Sequence, residues 1–464
     1  MILSIAAGSR NLPTELTVAP GGKPFAGGEG DGYVTSDGKY FAKIYRRFTT
    51  PDERLQKQTL LQHVVDLGFN LGEDEQFLAW PRGIVTGVDR RPAIGVVTCR
   101  IPPECVQLYR LIWSWRDAQK QFAAGRNWSD YLKMARGVAA AVRTVHGKGI
   151  VHNDIHWKNF LANVATGEVT LIDLDGLVVK GFLPPQVAGI RFFMAPELIL
   201  RTAQPGYFTD RHSLAALVLW TLLFRDVMKP NICRDEDPQR DIDLGYGQFA
   251  VFSEHPTVQD NWVPNITVPF LRSGVLTYKA LTPKLQTLTL KALVEGLHNP
   301  ELRPQAFEWE RALAEMQDVL IRCSKCGQRF PYPYWVNPPP RRSCPFCGNR
   351  EHLPPPVLLD LREPKAKGQV VSVRPMVLHQ SMVLYDDVAE PGRFPPVARD
   401  KTPVLGQVSW NAPKSAHYLR NVSAAPWTLL APHGGAVAPG ESLALAAGLL
   451  WSFGNGKRMA QVVA

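Results

Sequence analysis

The sequence predicts an α+β protein in which a β-rich segment comes first, a helical segment second and a small all-β module last. Three observations predict this order. Short runs of β-forming residues alternate with turns in residues 1–100. Apolar residues recur at helical spacing over 128–146, as on the buried face of a helix. After residue 322, β-branched runs alternate with Gly and Pro turns, a spacing typical of a small all-β module.

Each segment carries its own local signals. The β-like runs of the first segment are 33–34, 40–45 and 94–98. A helix is predicted over 51–65, because Pro51 and Asp52 stand in its first turn, where helices favour them. Further helical patterns cover 210–225, 283–297 and 306–322, and the β-branched runs of the last segment are 369–373, 381–384 and 444–451.

Length and composition limit the class of protein. The 464 residues suggest two to four domains at roughly 100–200 residues each. The longest apolar stretch, 214–224, is shorter than the ~20 residues that span a bilayer, and the N-terminus lacks a positively charged leader. We therefore expect a cytoplasmic protein without a membrane segment. The net charge of +10 is mild, and basic pairs at 46–47, 90–91 and 341–342 fit solvated surface or attraction to acidic partners. Nucleic-acid binding is not predicted.

Four of the seven cysteines form two Cys-x2-Cys pairs separated by seventeen residues: Cys323 with Cys326, and Cys344 with Cys347. Four thiolates at this spacing predict a closed tetrahedral site that holds Zn²⁺ for structure. A redox dithiol is the alternative. Scattered remaining cysteines fit a reducing compartment better than a secreted disulfide framework.

Two carboxylates and one amide follow at short spacing: Asp154, then Asn159, then Asp173 fourteen residues later. Apolar runs at 149–151 and 169–172 predict short strands that place these residues on loops. Because hard divalent cations take oxygen ligands, Asn159 and Asp173 are candidate magnesium ligands. Asp173 has an alternative as a turn residue, since Asp-Leu-Asp-Gly is favourable turn chemistry.

Further motifs stand around this group in a recognisable order. They are GGEG at 27–30, FAKI at 41–44, HNDIHWKN at 152–159, MAPE at 194–197, DRHSL at 210–214 and RP at 303–304. In this order, over about residues 20–318, they resemble the protein-kinase superfamily. The resemblance implies a bilobal protein-kinase-like fold, with an N-lobe at 1–100 and a C-lobe at 101–320. The cysteine pairs and the β-branched runs that follow predict a zinc ribbon at 321–352 and a β-sandwich-like module at 353–464.

The resemblance also assigns roles. It implies ATP and Mg²⁺ as cofactors, Asp154 as the acceptor of the hydroxyl proton, and Asn159 and Asp173 as metal ligands. Further residues that it implies for the nucleotide and its phosphoryl group are Gly27, Gly28, Gly30, Lys43, Glu53 and Lys158. Lys43 is otherwise an exposed edge-strand lysine, and Glu53, its expected partner, follows it sooner than the superfamily pattern. Asp175 fits either metal binding or a turn cap.

Several positions depart from the superfamily pattern. Phe25 stands where the first glycine of the phosphate loop is expected, and phenylalanine does not adopt a positive φ cheaply. Asn153 replaces the arginine that would read a phosphorylated activation segment. No Ser, Thr or Tyr lies between Gly176 and Met194. We therefore predict a kinase that is not gated by phosphorylation of this segment.

The substrate class is less well specified. His156 stands where protein Ser/Thr kinases usually have lysine and small-molecule kinases often have histidine. The Ala-Pro-Glu motif, Asp210 and Arg303 favour a protein substrate, so we predict phosphorylation of Ser/Thr in proteins. The alternatives are a small-molecule kinase, or a pseudokinase scaffold that presents its ribbon and β module to partners.

A kinase followed by a ribbon and a β tail resembles bacterial eukaryote-like Ser/Thr kinases of tellurite-resistance and stress gene sets. That resemblance implies a phosphatase and a von Willebrand-type domain protein as partners besides the protein substrate. The tail, at 419–423 and 443–454, is similar to a forkhead-associated sandwich, and a plain β-sandwich adaptor is the alternative.

Overall fold

The computed structural model describes residues 1–463 except 20–23, 27–29, 47, 49, 175–176, 180–188, 260–275, 337–343, 350–353, 366–368, 397–398 and 456. Four units follow one another along this chain: a β-rich lobe, a helical lobe, a short cysteine ribbon and a β-sandwich. No helix among the described residues is long and apolar enough to cross a bilayer.

The first lobe is a seven-stranded antiparallel sheet in the order β2-β1-β6-β7-β5-β4-β3. Its strands are β1 (Ile2–Ile5), β2 (Glu15–Thr17), β3 (Phe25–Ala26), β4 (Gly30–Val34), β5 (Tyr40–Tyr45), β6 (Gly83–Val88) and β7 (Arg91–Cys99). Helix α1 (Pro51–Leu67) begins where the Thr50 hydroxyl accepts the Glu53 N–H, a capping bond typical of helix starts. Leu61 and Val65 of α1 pack with Tyr45 of β5 in one buried cluster, which fixes α1 against the sheet.

The second lobe is built around one buried helix. Its helices are α2 (Tyr109–Ile112), α3 (Trp115–Ala123), α4 (Trp128–Gly147), α5 (Pro196–Ile199), α6 (Tyr207–Leu223), α7 (Pro238–Tyr246), α8 (Pro283–Leu290) and α9 (Ala306–Gln317). Fifteen of the twenty residues of α4 are buried, so this helix is the core of the lobe and α6 and α9 pack against it. A π-helical turn, Lys291–Glu295, continues α8.

Five short strands place the loops of the second lobe. They are β8 (Val106–Gln107), β9 (Ile150–Val151), β10 (Phe160–Asn163), β11 (Glu168–Leu171) and β12 (Val178–Val179). β10 and β11 form a hairpin, and β9 pairs with β12. The segment 152–159, called the Asp154 loop below, therefore joins β9 to β10, and Asp173 follows β11 closely, as the apolar runs predict.

The predicted helix at 306–322 is wrong in its last turn. Helix α9 ends at Gln317, and β13 (Leu320–Arg322) pairs with β14 (Arg329–Pro331) in a hairpin. The reason is tertiary: Val319, Ile321 and Phe330 pack into one buried cluster with Cys323 and Cys344. An apolar run this short fits a strand as well as a helix.

The last unit is a sandwich of two antiparallel sheets. Its strands are β15 (Val357–Pro364), β16 (Val370–Leu378), β17 (Val383–Tyr385), β18 (Val404–Asn411), β19 (Ala416–Asn421), β20 (Trp427–Ala431), β21 (Gly435–Val437), β22 (Ser442–Ala444), β23 (Leu450–Ser452) and β24 (Met459–Val462). The sheet orders are β16-β15-β24-β23-β20-β21 and β17-β18-β19-β22. Both sheets contribute to one core that contains Trp427 and Trp451. The predicted run at 444–451 is divided between β22 and β23, because the chain turns at Gly448 with a φ of 83°.

A buried ion network joins the sandwich to the second lobe. It consists of Asp318, which follows α9, and of Arg374, Asp387 and Arg399 from the sandwich. Arg399 donates two hydrogen bonds of 2.8 Å to Asp387 and one to Asp318, and Arg374 Nε lies 2.9 Å from Asp318 Oδ2. Both aspartates have no exposed side-chain surface. Nearby, Arg136 of α4 donates to Gln317 Oε1 at 3.0 Å and to the Pro396 carbonyl at 3.2 Å.

Candidate active site

The Asp154 loop holds its carboxylate and amide together. The side-chain nitrogen of Asn159 donates to the Asp154 carbonyl at 2.9 Å and to Asp154 Oδ2 at 3.0 Å. Both hydrogen bonds use the amide nitrogen, so the amide oxygen is the atom suited to a cation. Asn159 is only 6% exposed, which fixes that oxygen at the edge of the loop.

Asp210 braces the start of the same loop. This α6 carboxylate is 1% exposed and accepts the backbone N–H groups of His152 at 2.8 Å and Asn153 at 2.9 Å. Asn153 has a φ of 68°, a left-handed conformation that persists only where surrounding bonds hold it. His146 Nε2, from the end of α4, lies 3.0 Å from the same carboxylate. Two helices thereby position the loop.

His156 faces the Asp154 carboxylate. Its Nε2 lies 3.1 Å from Asp154 Oδ1, while its Nδ1 accepts the backbone N–H of Lys158 at 3.1 Å. Since Nδ1 is an acceptor, Nε2 is the nitrogen that carries a proton, and it is the one beside Asp154. Burial by itself raises the pKa of Asp154, but His156 and Asn159 outweigh burial and hold that pKa below its ordinary value. Asp154 is therefore an anion at neutral pH.

His152 is a supporting residue of the loop. The ring is 3% exposed; its Nδ1 accepts the Asp154 N–H at 3.3 Å, and its Nε2 lies 3.4 Å from the Ile172 carbonyl. Burial lowers the pKa of His152, so the ring is neutral at pH 7. Through its two ring nitrogens, the neutral His152 ring links Asp154 to Ile172, the residue that precedes Asp173.

Lys43 and Asp173 meet across the two lobes. The Lys43 ammonium on β5 lies 3.2 Å from Asp173 Oδ1, although 130 residues separate them. Asp173 has a φ of 58°, and the N–H of the preceding residue, Ile172, donates to the Asn159 carbonyl at 2.8 Å. That bond sets Asp173 beside the Asp154 loop. These contacts connect Lys43, Asp173, Asn159 and Asp154 where the two lobes meet.

Strands β3 and β4, on either side of the glycine-rich residues 27–29, are antiparallel, and Phe25 pairs with Gly32. Gly27 and Gly28 lie outside the described residues. Gly30 begins β4, and a Cβ there would stand 2.4 Å from the Ile44 carbonyl oxygen, so only glycine allows β4 to approach β5 this closely. Phe25 avoids a positive φ by lying in a strand, and its ring packs 5.9 Å from that of Phe41.

Two other predicted residues, Glu53 and Lys158, are exposed. Glu53 is an exposed residue in the first turn of α1. One turn later, Lys57 places its ammonium 4.8 Å from the Tyr45 ring centroid, and the Lys43 ammonium lies 5.5 Å from the same centroid. The sequence patterns did not single out Lys57, although its position one turn after Glu53 places both residues on the same face of α1. Lys158 is exposed, and its carbonyl accepts Gln107 Nε2 at 3.1 Å.

The segment that ends at α5 is anchored by a buried pair. Arg303 donates to both oxygens of Glu197, at 2.6 and 2.9 Å, and its side chain has no exposed surface. Its guanidinium also donates to three backbone carbonyls. Such a two-pronged pair fixes orientation as well as distance. The RP motif at 303–304 and the Glu of MAPE are thus in contact.

Contacts that sequence reasoning missed hold the preceding turn. Arg191 Nε lies 2.6 Å from Asp243 Oδ1 of α7, and the Ser213 hydroxyl donates to the Phe193 carbonyl at 2.7 Å. Ile190 and Met194 line a small pocket that opens beside Asp154. These partners lie 20 to 52 residues apart in sequence, so no local motif predicts the contacts.

The four paired cysteines converge. The sulfur atoms of Cys323, Cys326, Cys344 and Cys347 all lie within 4.8 Å of one another, and the Cys323–Cys347 and Cys326–Cys344 separations are 3.6 Å. Four sulfurs at about 2.3 Å from one zinc ion would stand about 3.8 Å apart, so the cluster fits the metal. Burial by itself raises the pKa of Cys323, but hydrogen bonds from the backbone N–H groups of Cys326 and Lys325 lower it to about 7.

The cysteine ribbon is tied to the second lobe. Gln328, between the two cysteine pairs, accepts the Trp128 N–H at 2.9 Å and donates to the Arg126 carbonyl at 2.8 Å. Phe346 packs edge-on against Phe122 of α3, with ring centroids 5.6 Å apart. The ribbon therefore contacts the N-terminal end of α4.

Comparison with known proteins finds a family model that matches part of this chain. Residues 118–307 match the protein kinase domain. Together with the two lobes, the four-cysteine cluster and the two C-terminal sheets, this match confirms the predicted fold class. The first lobe lies outside the matched residues, and its part in the site follows from the Lys43–Asp173 contact.

Relatives that carry kinase names match longer or shorter parts of the chain. The serine/threonine-protein kinase pim-2 of Danio rerio is 30% identical over 35% of this chain and 48% of its own. Protein kinase YegI of Escherichia coli O157:H7 is 22% identical over 71% of this chain and 48% of its own. YegI of Escherichia coli strain K12 is 22% identical over 68% and 47%. The chain thus spans about half the length of these curated relatives.

Proposed function

We propose that this protein transfers the terminal phosphoryl group of ATP, with Mg²⁺, to serine or threonine hydroxyls of proteins. The contact of 3.2 Å between Lys43 and Asp173 carries the proposal. It places a cation and a carboxylate face to face across the cleft, so phosphate oxygens and a metal ion entering there each meet a charge of opposite sign. The kinase names of the relatives support the substrate class.

Asp154 is the proposed acceptor of the hydroxyl proton. Its lowered pKa keeps it anionic but makes it a weak base. We therefore assign it the orientation of the hydroxyl, with proton acceptance late, when the new P–O bond has made that proton acidic. His156 Nε2 lies 3.1 Å from Asp154 Oδ1, while Asp154 Oδ2 accepts the Asn159 amide.

The oxygen atoms that suit magnesium lie where the loops meet. Asn159 offers its amide oxygen, because its nitrogen makes both of its hydrogen bonds to Asp154. The Asp173 side chain is 51% exposed, so its carboxylate can accept a metal from the cleft. Bound magnesium would neutralise charge on the phosphates. Lys43, Lys158, Gly30 and Glu53 are proposed to complete the nucleotide site, together with Gly27 and Gly28.

We also propose that phosphorylation of the segment before α5 does not gate this kinase. Residues 177–193 contain no Ser, Thr or Tyr. The end of the segment is held instead by Glu197 with Arg303 and by Arg191 with Asp243. These pairs supply permanently the kind of bond that a phosphate would make with an arginine.

The remaining assignments are proposals of the same kind. The four cysteines bind one structural zinc ion, since four thiolates leave no open position for chemistry. Domain boundaries lie near residues 100, 320 and 352. The protein acts in the cytoplasm on protein substrates, and a phosphatase and a von Willebrand-type domain protein are candidate partners.

Labelled ATP tests the proposed function. The full-length protein is incubated with magnesium and a generic protein substrate, beside Asp173→Ala and Lys43→Ala. The matched control is Lys39→Ala, which removes an exposed lysine from the turn before β5. We expect label with the wild type and the control, and at least a hundredfold less with the other two. Equal label in wild type and Asp173→Ala would end the enzyme proposal and favour a pseudokinase scaffold. Turnover of sugars or aminoglycosides alone would favour a small-molecule kinase.

A further inference from the structure

A half-exposed tryptophan stands beside the Asp154 loop. Trp113, between α2 and α3, is 51% exposed. Its ring lies 4.9 Å from that of Trp157, which is buried in the loop, and 6.3 Å from that of Phe192 in the segment before α5. Trp220 of α6 stacks on Trp113 from the interior side, with ring centroids 6.4 Å apart. The tryptophan is thus held in position while one side faces solvent.

The neighbouring aromatic residues Tyr109 and Trp115 are each covered by an arginine. Arg110 lies over the Tyr109 ring at 5.9 Å, and Arg116 lies over the Trp115 ring at 5.3 Å. Among the residues that the structure describes, no cation stands over Trp113. A rigid aromatic side chain with an open face is the residue type that anchors protein contacts.

We infer that Trp113 and Phe192 form a subsite for an apolar side chain of the protein substrate, near the residue that is phosphorylated. This inference rests on the proposed kinase function. Trp157 belongs to the loop of Asp154, and Phe192 belongs to the segment whose Ile190 and Met194 line the pocket beside Asp154. A polypeptide that presents a hydroxyl to Asp154 crosses both segments, and Trp113 stands where they meet.

The geometry limits the position of the apolar residue. Trp157 follows Asp154 by three positions, which is at most about 10 Å of backbone. The Trp113 ring lies 4.9 Å from the Trp157 ring. An extended substrate covers about 3.3 Å per residue. The apolar side chain therefore lies within about five residues of the phosphorylated serine or threonine.

Charge around Trp113 adds a second preference. Arg110 and Arg116 are exposed on the same stretch, and Lys158 is exposed next to Trp157. A positively charged substrate side chain placed beside these residues is repelled, which disfavours its binding. Peptides with arginine or lysine at the apolar position are therefore poor substrates.

The test uses the full-length enzyme with peptides that vary one position at a time on either side of a fixed serine or threonine. We expect one position within five residues to favour Leu, Met or Phe over Ala and Arg by on the order of tenfold in kcat/KM. Trp113→Ala abolishes that preference by raising KM for peptides that carry the apolar residue. Trp113→Phe retains part of the preference. The control is Phe307→Ala, which removes an aromatic side chain that is 48% exposed on α9.

Each alternative outcome is distinct. A wild-type profile without apolar preference, or a preference that survives Trp113→Ala, overturns the subsite while leaving the kinase function intact. No label on any peptide or protein overturns the kinase function itself. If Trp113→Ala changes only the sedimentation of the protein, the surface belongs to a second copy of the chain and the substrate subsite is refuted. Unchanged thermal melting and ATP KM in Trp113→Ala establish that a lost preference is not misfolding.

Discussion

Asp318→Asn tests whether the sandwich is held to the second lobe by charge. Asp318 is fully buried between Arg374 and Arg399, and asparagine keeps its volume while removing the negative charge. Asp387 is then the single carboxylate of the ion network that faces two buried arginines. Breaking a buried pair by removing one partner costs roughly 3–5 kcal/mol. Because the asparagine oxygen still accepts a hydrogen bond, we expect a loss of about 3 kcal/mol in the free energy of unfolding.

Urea denaturation followed by tryptophan fluorescence measures this loss. Trp427 and Trp451 report on the sandwich core, while Trp128 and Trp157 report on the second lobe. The control is Asp66→Asn, an exposed aspartate on α1 that accepts a hydrogen bond from Gln62; we expect a change within about 0.5 kcal/mol. A loss below about 1 kcal/mol for Asp318→Asn would refute the view that these charges hold the interface.

Two further predictions concern the metal and the proton. Cys344→Ser lowers the zinc content from about one ion per chain to near zero by metal analysis, whereas Cys233→Ser, outside the cluster, leaves it unchanged; wild-type protein without zinc would contradict the site. His156→Ala removes the donor that lowers the pKa of Asp154, so the acidic limb of the pH profile of kcat/KM moves to higher pH. The Asp154 carboxylate and its stabilisation are present above its ordinary pKa and lost as pH falls through the lowered pKa, so without His156 that loss begins at higher pH. His433→Ala, an exposed histidine of the sandwich, leaves the profile unchanged, and an unshifted profile for His156→Ala argues against the assigned contact.

Local patterns were sufficient for the parts of the site that lie on short loops. Asp154 and Asn159 are five residues apart, and their hydrogen bond closes within one loop. The paired cysteines were equally predictable, since each pair bends around its own glycine, Gly327 or Gly348, at a φ of 73°. Helix α4 was predicted to within one residue at its end, because its apolar residues recur at regular helical spacing.

Long-range contacts were beyond reach of the same reasoning. Arg191 with Asp243 and the ion network join residues far apart in sequence, and charged residues are so common that spacing does not pair them. The strand at Leu320–Arg322 was missed because its short apolar run fits a helix as well as a strand. Packing against the core of the cysteine ribbon determines that it is a strand. The tautomer of His156 depends on the Lys158 N–H, which is a matter of backbone geometry alone.

Gln328 accepts the backbone N–H of Trp128, the first residue of α4. This hydrogen bond has a consequence for how the protein would respond to loss of metal. The same helix delivers the polypeptide into the Asp154 loop about twenty residues later. A chelator that empties the sulfur cluster would free Gln328 and fray the helix at Trp128. This loosening would then begin at the N-terminal end of α4, whose C-terminal end leads into the Asp154 loop, so a change at the four cysteines would reach the candidate active site through one helix.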